Sequence, residues 1–119
     1  MENKTTFKRG DMFYADMPQG VGSEQSGYRP VIILQNDVGN KHSTTVIVAP
    51  LTSVSHTKAK LPTHYTMKAE NGLEKPSVVL LEQIRTIDKS RLKEKIGHIN
   101  DTQVMSKIDN ALGVSFGLE

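Results

Sequence analysis

Three apolar runs set the limits on how this chain can fold: PVIIL at 30–34, TTVIVAPL at 44–51 and SVVLL at 77–81. Each is short, rich in β-branched residues and bounded by turn formers, which predicts strands. Their apolar character is continuous rather than alternating. That is expected of strands buried on both faces or curled into a small barrel. GDMFYADM at 10–17 adds a strand that alternates, with Phe13, Ala15 and Met17 on one face and Met12, Tyr14 and Asp16 on the other. Shorter strands are expected over 64–68 and 95–99, and Asp88–Leu92 reads as one helical turn. Turn chemistry marks Asn36–Asn40 and Glu70-Asn71-Gly72. Pro50 should end or bulge the third run, because proline cannot donate to a ladder. Residues 18–29 form a long polar connector, and 53–62 an exposed basic loop.

Near the C-terminus the period changes. Val104, Ile108, Ala111, Leu112 and Ser115 recur at helical spacing. Asn100 or Asp101 can cap this helix, with Gln103 placed for a capping box on Asn100, and Gly117 is a natural stop. The expectation is one mainly β (α+β) domain over residues 1–119, a barrel-like sheet carrying a C-terminal helix, with residues 1–7 as a frayed extension.

Composition removes several chemistries. Cysteine is absent, so disulfides, thiol catalysis and Cys-ligated metals are excluded. Residues 1–9 carry no signal-peptide apolar run, and no segment approaches the roughly 18 apolar residues of a membrane span, so a cytoplasmic protein is expected. Arg9-Gly10-Asp11 spells an adhesion tripeptide, and Asn3 and Asn100 match glycosylation acceptors, but nothing predicts export. No Gly-x-Ser-x-Gly elbow, His-x-x-x-His pair, calcium loop or phosphate loop occurs. The net charge of +2 says little, but no acidic residue lies between Val38 and Ala69, where Lys41, Lys58, Lys60, Lys68, His42, His56 and His64 fall. Such a window is either a solvated loop or a surface for an anionic partner such as nucleic acid.

One chemistry needs neither metal nor Cys. RNA carries its own nucleophile in the 2′-hydroxyl. A protein that cuts it must help remove that proton, neutralise the phosphorane and protonate the leaving 5′-oxygen. An Arg fork suits the second task, and a carboxylate or hydroxyl can assist the others. GSEQSGYRP at 22–30, followed by Thr52 and the basic loop, contains these parts. Read from residues alone, Glu24 and Arg29 are equally compatible with a surface ion pair worth about 0–1 kcal/mol.

The wider pattern resembles a known family. GSEQ-x-G-x-RP at 22–30, QNDVGNK at 35–41, TVIVAPLT at 45–52, KAKLPTH at 58–64 and LLEQIRTIDKSRL at 80–92 look like the MazF/PemK/Kid toxins of type II toxin–antitoxin systems. The resemblance covers residues 8–118. It implies an SH3-like small barrel of the PemK/CcdB type, acting as a homodimer. It also implies a cofactor-free, sequence-specific endoribonuclease on single-stranded RNA that leaves a 2′,3′-cyclic phosphate and a 5′-hydroxyl. An antitoxin of the MazE kind would restrain it through an acidic, disordered segment.

Carried over by position, the resemblance implies catalytic roles for Arg29, at the scissile phosphate, for Thr52 as a hydroxyl donor, and for Glu24 as base or base reader. It implies RNA contacts for Ser23, Gln25, Ser53, Lys58, Lys60, Leu61, Pro62, His64, Glu82 and Gln83. Chains with EQIRTID resemble the branch preferring UACAU-like sites. The Arg and Asp of the Kid/PemK branch are replaced here by Leu80 and Glu82, so no step can use that Arg. Two other readings share the fold. A gyrase poison of the CcdB kind works through C-terminal residues including a Trp, which this chain lacks. A non-catalytic module would bind RNA or protein without cutting.

Overall fold

The computed structural model describes residues 6–54 and 61–118. Strand β1 (Asp11–Met17) pairs antiparallel with β2 (Gly27–Ile33) and, on its other edge, with β7 (Leu92–His98). Helix α1 (Asp37–His42) leads into β3 (Thr45–Ser53). Strands β4 (His64–Met67), β5 (Ser77–Leu80) and β6 (Arg85–Asp88) follow, and the chain ends in α2 (Thr102–Phe116). Two 3-10 turns, Leu81–Gln83 and Lys89–Arg91, flank β6. The hydrogen-bonded order is β4-β5-β3-β2-β1-β7, with β6 also on β3. The sheet does not close. The Lys89–Arg91 turn instead bridges β6 and β7 covalently, which completes the barrel-like curl.

Both faces of the central strands are buried, which explains the continuous apolar runs. On one face Met12, Ile32, Ala49 and Leu51 pack with Val79, Leu81 and the Ile108 and Ala111 of α2. On the other, Phe13, Ala15, Met17, Val31, Ile33, Val46 and Val48 pack with Ile87 and Leu92 inside the curl. Expected alternation in β1 therefore holds, and its second face is mixed: Met12 is core, Tyr14 half-buried and Asp16 exposed.

Three local expectations change. The turn over Asn36–Asn40 is the short helix α1, because the Asn36 side chain accepts from Gly39 N at 2.8 Å and nucleates a first turn. Strand β2 begins at Gly27, not Pro30, since pairing with β1 extends to Met17↔Gly27. Pro50 neither ends nor bulges β3. Leu34 N donates to Ile47 O at 3.0 Å, so Ile47 and Ala49 turn their backbone groups toward β2, while Val48 and Pro50 face the opposite edge. On that edge β6 pairs residues 45–48 and β5 pairs residues 51–53. Pro50 falls at the handover, where no ladder bond needs its missing N–H.

Helix α2 is capped by Asp101, which accepts from Gln103 N at 2.8 Å, so the cap is this Asx contact rather than a capping box on Asn100. Gly117, at φ 72°, ends the helix in the left-handed region, and Leu118 N returns to Gly113 O at 2.9 Å. The adhesion-like tripeptide is used internally. Asp11 is buried and accepts from Lys8 N at 2.9 Å beside His98 Nδ1 at 2.7 Å, while Arg9 bonds Leu34 O and Asp109. Of the expected N-terminal extension, residues 1–5 lie outside the described residues, and Phe7 packs edge-on against Phe13 at 5.3 Å. No described helix is long and apolar enough to cross a membrane.

Candidate active site

The polar loop of 18–26 is anchored by strands on both sides. Its backbone needs glycine: Gly22 sits at φ 60° and Gly27 at φ 79°, a region that costs other residues energy. Arg29 emerges immediately after, within β2, opposite Ala15. On the far side of β2, Val31 pairs with Pro50 of β3. Carrying that antiparallel register two residues further sets Arg29 level with Thr52. The two residues line one open cleft of about 400 Å³ together with Tyr14, Pro30, Ser53 and Ser77. Arg29 and Thr52 are both half-buried, which weakens solvent screening of the guanidinium without hiding it.

Arg29 is oriented by its own loop. Its Nε donates to Ser26 O at 2.8 Å and its Nη1 donates to the Gln25 side-chain oxygen. Among the five N–H groups of a guanidinium these two are engaged, which leaves donors on Nη1 and Nη2 for a ligand in the cleft. No ion pair joins Glu24 to Arg29 among the described residues. Glu24 instead accepts from Val21 N at 3.0 Å through Oε1, holding the turn at the loop tip.

Glu24 lines a second, adjacent cleft of about 300 Å³ with Gln25, Glu82, Gln83, Ile84 and Arg85. Gln83 spans to the loop: its Oε1 accepts from Gln25 N at 2.8 Å and its Nε2 donates to Ser23 O at 3.2 Å. Glu82 turns the other way. Its Oε1 accepts from Thr63 Oγ1 and its Oε2 lies 3.0 Å from His64 Nε2, each at 3.0 Å. Among the described residues His64 Nδ1 is buried without a partner.

Gln25 thus joins the clefts, touching Arg29 with its side chain and Gln83 with its backbone. Leu61 and Pro62 are exposed beside Thr63 and His64. Lys58 and Lys60 lie outside the described residues. Of the described cations in the acid-free window, Lys41 and His42 line a separate cleft with Phe7, Lys8 and Lys89. Among the described residues no group of three His, Cys, Asp or Glu is placed to hold a metal ion.

Three site features were not singled out from sequence. Thr63 holds Glu82, Arg85 reaches the loop from β6, and Tyr14 stacks on Tyr28 with rings 5.3 Å apart and nearly parallel at 7°. Tyr28 is 61% exposed. The strand alternation that pairs Asp16 with Tyr28, and so sets Tyr14 near it, was the signal available for the stack.

Residues 8–116 match the family described as PemK-like, MazF-like toxin of type II toxin–antitoxin system. The chain is 54% identical over 112 residues to "Endoribonuclease EndoA" of Bacillus subtilis, covering 93% of this chain and 95% of that protein. In three dimensions it is similar to MazF from Deinococcus radiodurans (TM-score 0.79, 25% identity, 96% of this chain and 99% of that one). It also resembles a mycobacterial endoribonuclease solved in complex with its cognate antitoxin (TM-score 0.76, 28% identity, 94% and 96% covered). On the match across its two clefts and nearly its whole length, this chain belongs to the PemK-like, MazF-like toxin family of type II toxin–antitoxin systems.

Proposed function

We propose that the chain is a toxin endoribonuclease that cuts single-stranded RNA at a preferred sequence, without a metal, by attack of the RNA's own 2′-hydroxyl. The observation that carries this reading is the convergence of Arg29 and Thr52 on one open cleft beside the base-accessible polar groups of Glu24, Gln25, Glu82 and Gln83. A phosphate in that cleft takes the free guanidinium donors of Arg29. The charge of the phosphorane is met by a preoriented cation, and Thr52 adds a hydroxyl donor. The products are a 2′,3′-cyclic phosphate and a 5′-hydroxyl.

Bases are read in the neighbouring cleft. Glu24 sits there rather than beside Arg29, which favours recognition over proton transfer for its carboxylate. Tyr14 and Tyr28 offer stacking faces next to the scissile site, a mode suited to unpaired bases. Ser23, Leu61 and Pro62 extend the same surface, and His64, its side chain only 8% exposed, holds Glu82 in place behind it. We further propose that the working form is a cytoplasmic homodimer and that an acidic segment of an antitoxin competes with RNA for these clefts, in keeping with the complex formed by the mycobacterial relative.

The test is cleavage of a long single-stranded RNA by purified protein in EDTA, with sequencing of the new 5′ ends. Cuts at a common short motif are expected, carrying 5′-hydroxyls, and Arg29→Ala should abolish them. Intact RNA, cleavage that needs added metal, or cleavage that survives Arg29→Ala overturns the reading.

A further inference from the structure

Strand β6 carries a cation that the proposed chemistry does not use. Arg85 is half-buried, and its Nη1 donates to Pro18 O at 3.1 Å and to Gln25 O at 3.4 Å. Those two carbonyls are the two ends of the 18–26 loop. One guanidinium nitrogen therefore ties the loop's entry to its exit. The anchor is rigid, because β6 pairs with β3 from Thr45↔Asp88 to Val48↔Arg85. Inside the loop, among the described residues, Val21 N donates to Glu24 Oε1 and Glu24 N donates to Val21 O, and Gln83 adds two bonds from outside it, accepting from Gln25 N and donating to Ser23 O. With glycines at 20, 22 and 27 the loop has many conformations to lose on ordering.

The consequence reaches Arg29. Gln25, whose carbonyl Arg85 holds, places its side chain on Arg29 Nη1, and Ser26 O holds Arg29 Nε. Gln25 is held at two points, its N–H by Gln83 at 2.8 Å and its carbonyl by Arg85 at 3.4 Å, and losing the second lets its peptide turn and shifts the side chain that steers the Arg29 fork. A guanidinium displaced by about 1 Å loses about 10²-fold in rate where geometry sets the transition state. We infer that Arg85, in the wall of the second cleft, is a positioning residue for cleavage: together with Gln83 it staples the 18–26 loop so that Gln25 and Ser26 aim Arg29 at the scissile phosphate. This inference rests on the catalytic reading of Arg29, but its structural half stands apart from activity.

The experiment compares wild type, Arg85→Gln, Arg85→Lys and Lys93→Ala. Among the described residues Lys93 donates to Ser90 O alone, on the exposed side of β7, so its variant controls for loss of one positive charge. Amide hydrogen exchange is measured over residues 19–26, and kcat and KM are measured on one RNA. For Arg85→Gln, exchange in the loop should rise about 10-fold or more, and kcat should fall about 10–100-fold with KM within about 3-fold. Arg85→Lys, which can still reach a carbonyl, should recover part of both, and Lys93→Ala should match wild type. Unchanged loop exchange in Arg85→Gln overturns the staple, whatever the activity. A changed loop with unchanged kcat overturns the link to Arg29. A rise in KM with a lower salt dependence makes Arg85 an RNA contact and overturns the positioning role. An inactive wild type with the expected exchange pattern sinks the nuclease reading and leaves the staple standing.

Discussion

At the residue scale, the proposed reaction divides the work on the phosphate between Arg29 and Thr52. Removing one preoriented donor to a developing oxyanion typically costs about 10²–10³-fold in kcat. Thr52→Val, which keeps the β-branched shape that suits β3, should therefore lower kcat by about 10²-fold with little change in the unfolding midpoint. Single-turnover cleavage and thermal melting measure the two separately. Glu24 should behave differently. Because its carboxylate holds Val21 N and lines the second cleft, Glu24→Gln should change which bases flank the cuts more than the rate at the best site. Sequencing of the cut ends reports that shift. These residues were legible only as a pattern: an Arg after a polar loop is ambiguous by itself, and its proposed role comes from the family resemblance that the downstream EQIRTID string completes. The pairing of His64 with Glu82 was not legible, because 18 positions separate them and no local spacing encodes the contact.

At the element scale, the turn of Asn71 and Gly72 is pressed against β7. A Cβ on Gly97 would lie 1.8 Å from Asn71 O, a backbone atom that cannot rotate away. Gly97→Ala should cost about 3 kcal/mol, seen as a lower denaturant midpoint with cleavage retained by the folded fraction. Helix α1 gives a pH-dependent case. Asp37 has its carboxyl held below the usual range, first by the backbone N–H of Arg9 at 2.7 Å and then by Asn40 Nδ2. A depressed folded-state pKa contributes stability above the unfolded value of 3.8 and loses it as pH falls through the folded value. Asp37→Asn should thus weaken the fold at neutral pH and flatten the acid limb below about pH 4. The group is exposed, so screening keeps the effect at about 1 kcal/mol or less. Urea midpoints from pH 2 to 7 test it.

At the scale of the whole molecule, two cores share one sheet. Helix α2 covers the outer core through Ile108, which is fully buried. Ile108→Ala should cost about 2–5 kcal/mol. A lower urea midpoint measures that loss. With a net charge of only +2, RNA affinity must come from local cations rather than a global field. Its logarithm should fall linearly with log salt, by about 0.7 per phosphate held, and Arg29→Ala should reduce the slope by about that amount.

The sequence by itself determined six of the seven strands, the C-terminal helix with its Gly117 stop, and the family, because apolar period, turn residues and ordered motifs are local properties of the chain; β6 (Arg85–Asp88) is too short and polar to show that period and is fixed by its pairing with β3. It did not determine where Pro50 would fall, since a proline is tolerated or not according to which neighbours flank that edge, and β5 and β6 come from later in the chain. It left Asn36–Asn40 as a turn, where packing of Asp37 on the Arg9 backbone stabilises a helix too short to stand alone. Nor did it show that the loop of GSEQSGYRP divides its duties, with Arg29 beside Thr52 and Glu24 beside Glu82. That division depends on strand register and on Gln83 and Arg85 arriving from the far side of the sheet, contacts across about 60 residues that only the folded chain brings within hydrogen-bond range.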